Sequence, residues 1–274
     1  MSEQKITAVI IAKNEESMIA NCIDTVRWCH AVVVIDNGSE DRTSQLAERQ
    51  GANVVSAQGL GLAELRNLGL KQVKTSWVLY IDADERVTPT LKKEIQQVIS
   101  SVGAHSAYRI PRNNIHYGKW MQHGGWQYDK LVRLFQTQAI KQWEGDVHEH
   151  AEITGSTADL HEPLVHLTHR NMVDGLKKSY EWTEIEARLL FNAHHPQMSA
   201  LRLLKVVIWD FLYRMIALKA YRDGTQGVIE AMVQSMNRFM VYERLWELQQ
   251  NPSLRETYEK LEKDIVRVWQ KENV

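Results

Sequence analysis

The sequence lacks an apolar run of the roughly 18 residues that a membrane-spanning helix needs. Its first residues, 1–5, also lack the apolar core of a secretory signal peptide. Only two cysteines are present, Cys22 and Cys29. We place both on one helix face about 10 Å apart, which is too far for a disulfide. We therefore expect a reduced, cytoplasmic protein without a transmembrane segment.

An excess of positive charge is missing as well, since the formal net charge is −1. This balance argues against nucleic-acid binding, which requires a strongly basic surface. No glycine occurs in AKNEE (residues 12–16), after the first predicted strand, and there is no P-loop motif. A dinucleotide-dependent oxidoreductase would have Gly-x-Gly-x-x-Gly there, so that class is disfavoured.

Buried strands alternating with helices are what the first hundred residues do contain. The pattern predicts strands at residues 6–12, 31–35, 53–57 and 77–81. Between them we expect a first helix that opens with the acids at 15 and 16 and continues to Cys29. A second helix follows a cap at Ser39 or Asp41, and a third covers 62–73. Short connections between such elements imply an α/β fold with a parallel sheet covered on both faces.

Polar clusters follow three of these strands, where ligands of parallel sheets bind. They are Asn14-Glu15, Asp36-Asn37-Gly38 and Asp82-Ala83-Asp84. Residues two apart in a strand point the same way, so Asp82 and Asp84 can face one divalent metal. Each cluster also has a structural explanation as a helix start, an Asx-turn or a helix cap. Their joint occurrence favours a binding site.

The order of these motifs resembles the nucleotide-sugar-binding half of family-2 glycosyltransferases with the GT-A fold. The matching segments are IIAKNE (10–15), VIDNGSEDRT (34–43), AELRNLG (63–69) and YIDADE (80–85). The resemblance implies a Rossmann-like, mostly parallel central sheet with helices on both faces. It implies a catalytic domain at 1–170, with a donor half at 1–105 and an acceptor half at 106–170, followed by a helical extension at 171–274.

The resemblance also implies roles for individual residues. Asp36 would bond the base of a UDP-hexose, with Asn14 and Glu15 near the nucleoside and Arg66 positioning the donor. Asp82 and Asp84 would hold the ribose and an Mn²⁺ or Mg²⁺ ion on the diphosphate. A metal and an arginine would neutralise the charge that develops on this leaving group.

From Tyr108 onward the composition becomes aromatic, basic and rich in histidine. Residues 108–114 predict an edge strand because Pro111 cannot sit centrally in a sheet. The loop that follows contains Trp126, which either stacks on a sugar or packs beneath the loop. This half is similar to lipopolysaccharide core β-1,4-glucosyltransferases, through PRN (111–113), GKW (118–120), GW (125–126), RLF (133–135) and VHE (147–149). Trp126, Arg133 and His148 are accordingly candidate substrate-binding residues.

Inverting transfer needs a base for the acceptor hydroxyl proton. Many family-2 enzymes use a carboxylate of a Glu-Asp pair, and this sequence has His148-Glu149 instead. We assign the base to Glu149, with Asp129 in reserve. His166 and His169 are either late metal or diphosphate contacts or packed histidines.

The segment 201–221 predicts one strongly apolar helix accompanied by Arg202, Lys205 and Arg214. Such a helix fits shallow insertion at the cytoplasmic face of an anionic inner membrane. Packing against the catalytic domain or across a homodimer is the alternative. The expected function is transfer of a hexose to a saccharide or glycolipid acceptor. The alternatives are a sugar nucleotidyltransferase and a catalytically inactive nucleotide-sugar-binding protein.

Overall fold

The apolar, β-branched runs of the first ninety residues form neighbouring parallel strands. The computed structural model of the protein describes residues 5–145 and 149–272. The four strands are β1 (Ile6–Ala12), β2 (Ala31–Asn37), β3 (Asn53–Ala57) and β4 (Trp77–Asp82). They lie in the order β3-β2-β1-β4. Ala12 pairs with Asp36 and Ile11 with Asp82, so the carboxyl ends of β1, β2 and β4 are level.

Helices cover both faces of this sheet, and each face has its own apolar core. The helices are α1 (Ile19–Val26), α2 (Thr43–Arg49), α3 (Leu62–Gln72) and α4 (Pro89–Ser100). Alternate residues of β4 divide between the two cores. Leu79 packs in the core that includes α1 and α4, and Tyr80 packs in the core that includes α3. The predicted α/β arrangement with helices on both faces is confirmed.

Gly69 of α3 fixes how closely that helix lies on the sheet. A Cβ atom at this position would lie 2.5 Å from Cγ1 of Val9 in β1, far inside van der Waals contact. The missing side chain therefore brings α3, and with it Arg66, directly onto the strands whose ends form the site.

Local details around α1 and α2 differ from the predictions. The acids at 15 and 16 precede α1, which begins at Ile19 and has no acid in its first turn. Cys29 lies beyond the end of α1, and both cysteines are free and buried. Burial raises the pKa of the Cys29 thiol to about 12, with Lys92 acting in the opposite direction. The N-cap residue of α2, Arg42, makes no side-chain cap. Asp41, directly before it, accepts from the N–H of Thr43, the first residue of α2, at 2.9 Å, so of the two predicted capping residues Asp41 caps the helix start.

The sheet continues beyond β4 with antiparallel and shorter strands. They are β5 (Glu85–Val87), β6 (Ala107–His116), β7 (Lys119–Trp120), β8 (Lys130–Gln136), β11 (Thr157–Asp159) and β12 (Leu164–His166). The order is β4-β8-β6-β12-β5, with β8 antiparallel to both neighbours. A separate hairpin consists of β9 (Ile140–Glu144) and β10 (His150–Ile153).

The prediction that residues 108–114 form an edge strand is wrong, because β6 lies inside the sheet. Pro111 is tolerated there because two different strands share one side of β6. β11 pairs with residues 107–109 and β12 with residues 112–114. Pro111 falls in the gap between them, where no backbone N–H is needed for pairing.

The chain divides into two compact units, Met1–Asn171 and Met172–Val274. The second unit is helical, with α5 (Met172–Asn192), α6 (Ala200–Leu212), α7 (Gly224–Leu248) and α8 (Leu254–Glu272). The single helix predicted at 201–221 is interrupted. α6 ends at Leu212, followed by a π-helical turn (Tyr213–Ala217) and a 3-10 turn (Ala220–Asp223). Within the described residues, no helix is both long and apolar enough to cross a bilayer.

Candidate functional site

Asp82, the last residue of β4, lies between two buried arginines. Nη2 of Arg66 in α3 and Nη1 of Arg133 in β8 each lie 3.3 Å from its Oδ1. Nη2 of Arg133 donates to the other carboxylate oxygen, Oδ2. Both arginines are only 3% exposed. Two cations and a carboxylate are thus concentrated at the carboxyl end of the parallel strands.

The arginines set the acidity of Asp82. Burial alone would raise the pKa of this carboxyl, but the guanidinium groups of Arg133 and Arg66 outweigh burial and hold the pKa well below its usual range. The carboxylates of Asp82 and Glu85 in turn raise the pKa of Arg133 against the effect of its own burial. Asp82 and Arg133 are therefore both ionised at neutral pH.

This depressed pKa predicts how Asp82 contributes to stability. An unfolded aspartate titrates near about 3.9, so the ionised carboxylate stabilises the fold above that pH. As the pH falls below about 4, the unfolded chain binds a proton that the folded protein does not, and the contribution declines. In urea unfolding, wild type should exceed Asp82→Asn in stability at pH 7, and the difference should shrink towards pH 3. A difference that grows on acidification would contradict this.

Arg66 also binds Glu149, the residue predicted as the base. Nε and Nη2 of Arg66 lie 3.0 and 2.9 Å from Oε1 of Glu149. The guanidinium lies over the aromatic rings of Trp143 and Tyr80, at 5.0 and 5.7 Å from their centroids. The two rings hold the Arg66 guanidinium in place by cation–π attraction. Its N–H groups remain available to donate to the carboxylates of Asp82 and Glu149.

The neighbouring Asn67 connects α3 to β9, the strand of the hairpin that precedes Glu149. Its side-chain amide donates to the carbonyl oxygen of Trp143 at 2.9 Å and accepts from the Trp143 N–H at 2.8 Å. Adjacent residues of α3 therefore hold the strand before Glu149 and Glu149 itself. His148 lies outside the described residues.

A second set of ion pairs joins Asp129, the reserve base, to the same site. Glu85 is fully buried and accepts from Arg112 at 3.1 Å, and its other oxygen accepts from the Asp82 N–H at 2.9 Å. Arg112 binds Asp129 through Nε at 2.9 Å and Nη2 at 2.8 Å. Asn114 also donates to Asp129 at 2.8 Å. Both base candidates are thus ion-paired to arginines of this network.

Asp84 lies beside His166 of β12. The imidazole Nε2 is 3.5 Å from Oδ2 of Asp84, and Nδ1 is 2.6 Å from Oδ1 of Asn114. The pairing of β12 with β5 and β6 places His166 level with Glu85 and Asn114. Because Oδ1 of Asn114 can only accept a hydrogen bond, Nδ1 of His166 carries a proton and donates it. The other ring nitrogen, Nε2, faces the carboxylate of Asp84.

Asn14 and Asp36 lie together at the ends of β1 and β2. Asp36 accepts from the hydroxyl of Ser44 at 2.6 Å and from Ser39, through its hydroxyl and its N–H. The Asn14 N–H donates to the Ser39 hydroxyl at 2.9 Å, and Oδ1 of Asn14 accepts from the Glu40 N–H at 2.8 Å. The Asx-turn interpretation of Asp36 is therefore confirmed, and base binding by Asp36 stays a prediction.

Glu15 and Trp126 are two further candidates. Glu15 lies in the loop between β1 and α1, and Trp126 begins a short 3-10 helix (Trp126–Tyr128). The Glu15 N–H donates to the Thr43 hydroxyl at 2.7 Å. The Trp126 ring packs on His116 with centroids 4.4 Å apart. Tyr128, two residues on, is 73% exposed, which is the presentation a sugar-stacking ring needs.

Sequence reasoning did not single out Glu85, Arg112 and Asn114 as site residues. Glu85 belongs to the acidic run after β4, and PRN (111–113) contributes to the sequence analysis only through a resemblance. A buried acid needs a cation, and that requirement could have linked the two segments. Only the three-dimensional pairing of β6 and β12 identifies Asn114 as the link between Asp129 and His166.

Removing Arg133 should destabilise the protein strongly. Arg133→Met leaves Asp82 and Glu85 without one of their cations, at a cost of about 3 kcal/mol in the free energy of unfolding. Arg109→Met is the matched control, since Arg109 is about half exposed and pairs with the exposed Asp159. It should cost less than about 1 kcal/mol. Equal losses in urea unfolding would show that burial of the Arg133 pair has no special effect.

The sequence also matches known proteins over most of its length. The family model described as glycosyl transferase family 2 matches residues 7–153. An uncharacterized glycosyltransferase from Rickettsia bellii is 26% identical over 266 residues, which cover 92% of this chain and 90% of the relative. The lipopolysaccharide core biosynthesis glycosyltransferase LpsC from Rhizobium meliloti is 22% identical over 255 residues, covering 88% of this chain and 92% of that protein.

Among solved structures, glucosyl-3-phosphoglycerate synthase from Mycobacterium tuberculosis, crystallised with Mn²⁺, UDP and glucosyl-3-phosphoglycerate, aligns with a TM-score of 0.46. Its sequence is 17% identical, and the alignment covers 71% of this chain and 81% of that chain.

Proposed function

The chain belongs to glycosyl transferase family 2, and on this premise we propose that it transfers glucose from UDP-glucose, with inversion, to a saccharide or glycolipid acceptor. The acceptor we propose is of the lipopolysaccharide inner-core type. The similarity to the Rhizobium lipopolysaccharide core biosynthesis glycosyltransferase supports this acceptor class.

The cluster of buried arginines at the strand ends is the observation that supports this function most. Transfer from a nucleotide sugar releases a nucleoside diphosphate, whose charge grows as the bond breaks. Arg66 and Arg133 present fixed positive charge beside Asp82, at the edge of the sheet where ligands of parallel sheets bind. Because packing holds both side chains in place, no reorganisation is needed when that charge develops.

The donor atoms at the end of β4 fit a hard divalent cation, Mn²⁺ or Mg²⁺. Asp84 and Asp82 would hold it, and the imidazole of His166 beside Asp84 supplies a nitrogen that Mn²⁺ also accepts. Both oxygens of Asp82 already accept from guanidinium groups, so Asp84 is the better-suited ligand. When bound, such a cation neutralises charge on the leaving diphosphate.

We assign proton acceptance to Glu149, with Asp129 in reserve. Glu149 and Asp82 bind the same guanidinium, so Glu149 lies beside the donor end of the site. A carboxylate at this position can accept the proton of the acceptor hydroxyl as the new bond forms. Asp36, Asn14 and Glu15 would contact the base and ribose, and Trp126 the acceptor.

A thermal unfolding screen with UDP-, GDP- and dTDP-glucose, each with and without Mn²⁺, tests the donor and metal together. A ligand that binds only the folded protein raises the melting temperature by mass action. UDP-glucose with Mn²⁺ should give the largest rise, and Mn²⁺ omission should reduce it. A larger rise with GDP-glucose, or no dependence on metal, would contradict the proposal. Pyrophosphate exchange would identify a nucleotidyltransferase instead.

A further inference from the structure

One face of α6 and the turn that follows it is apolar and exposed. The exposed residues recur every three or four positions and form one stripe: Leu201, Leu204, Ile208, Leu212 and Ile216. Leu201 is 81% exposed and Ile216 is 68% exposed. At about 1.5 Å per residue the stripe is about 22 Å long. Exposed apolar surface that is continuous over this length marks an interaction site.

The opposite face of α6 packs on α7 within the helical unit. Asp210, the acid within α6, lies towards that side. Its carboxylate accepts from Arg214 at 2.9 Å and from the hydroxyl of Ser235 in α7 at 3.2 Å. Asp223, the next acid along the chain, is buried. The apolar stripe therefore has no exposed acid of its own segment beside it.

Basic and amphipathic aromatic residues flank the stripe at both ends. Arg202 and Lys205 are exposed at its start, and Lys219 and Arg222 at its end. Trp209 is 69% exposed and Tyr213 48% exposed, alongside the apolar residues. Tryptophan and tyrosine prefer the boundary between lipid headgroups and acyl chains, and basic residues are drawn to anionic headgroups.

We propose that this face, which we call the α6 stripe, docks on an anionic lipid bilayer. Its residues insert their apolar side chains at the headgroup boundary while the basic residues bind phosphate headgroups. The stripe is too short and too one-sided to span a bilayer, so the contact is peripheral. Lipid docking goes beyond the proposed sugar transfer and does not depend on it.

Charge argues against a second copy of the chain as the occupant. Pairing the α6 stripe with itself, parallel or antiparallel, brings Arg202 and Lys205 beside basic residues of the other copy. No exposed acid of residues 200–223 can compensate that repulsion. An anionic bilayer supplies the missing negative charge.

Vesicle co-sedimentation of the full chain tests the proposal, with phosphatidylcholine vesicles compared to vesicles that also contain phosphatidylglycerol. Wild type should bind the anionic vesicles, and added salt should weaken this binding. Ile208→Glu should bind about tenfold more weakly or worse, and so should the double variant Arg202→Glu/Lys205→Glu. Ile265→Glu on α8 is the matched control, because Ile265 is 60% exposed and Ile208 55%. It should bind as wild type does.

Three outcomes would overturn the proposal. They are unchanged binding by Ile208→Glu, equal losses in both isoleucine variants, or a wild-type dimer that dissociates with Ile208→Glu while vesicles bind neither protein. Melting curves without ligand show that each variant folds. The rise in melting temperature with UDP-glucose and Mn²⁺ should be the same in Ile208→Glu as in wild type. Vesicle binding and donor binding are thus measured independently, so a failure of lipid docking can be distinguished from a failure of the proposed transfer.

Discussion

Asp84→Ala is expected to reduce sugar transfer by about a thousandfold. Asp84 follows β4 by two residues and faces the imidazole of His166 at 3.5 Å. Its loss removes the carboxylate that we assign as the main ligand of the divalent cation. The diphosphate leaving group then loses much of its charge compensation in the transition state. Initial rates of UDP release at saturating UDP-glucose, with acceptor and Mn²⁺, measure the effect.

The matched control for this variant is Asp159→Ala. Asp159 is also a carboxylate of the first unit, but it pairs with Arg109 and Lys130 on the surface. Its loss should leave the transfer rate within about twofold of wild type, because exposed ion pairs contribute little. If Asp84→Ala retained a tenth or more of wild-type activity, the metal assignment at the end of β4 would be wrong.

Glu149→Gln is expected to lower the rate of transfer by about 10³-fold while leaving donor binding nearly unchanged. Glutamine retains a carbonyl oxygen that can accept from Arg66 in place of Oε1, so the local structure should persist. It cannot accept the proton of the acceptor hydroxyl. Single-turnover transfer measures the chemical step, and the thermal shift with UDP-glucose and Mn²⁺ measures donor binding.

Asp129→Asn separates the two base candidates. Asp129 pairs with Arg112 and accepts from Asn114, and the asparagine can accept in the same positions. If Glu149 is the base, Asp129→Asn should change the chemical step by less than about tenfold. A thousandfold loss in Asp129→Asn together with an active Glu149→Gln would transfer the role to Asp129.

The donor half of the site was predictable because its residues follow strands that share one edge. The apolar runs identify β1, β2 and β4, and the parallel register makes the residues after them meet. Asp82 and Asp84 could therefore be placed from local sequence alone. Arg66 was found by its motif, although its contact with Glu149, 83 positions away, could not be seen in the sequence.

The other half of the site was less predictable because its strands pair with partners that are far away in the sequence. Pro111 indicated an edge strand, yet the break between β11 and β12 admits it into the interior. β12 has only three residues, too few to show periodicity, so His166 could not be assigned to a strand beside Asp84. The GT-A fold was correctly predicted, since it depends mainly on the regular first half.

We propose that the residues at the end of β4 support glucosyl transfer from UDP-glucose. The most direct test is to incubate the purified protein with UDP-glucose, Mn²⁺ and lipopolysaccharide inner-core acceptors, and to measure UDP release and acceptor mass. We expect UDP and an acceptor heavier by one hexose in equal amounts, and both should be lost when Mn²⁺ is chelated and in Asp84→Ala. Binding of UDP-glucose without UDP release, across a broad panel of acceptors, would contradict it.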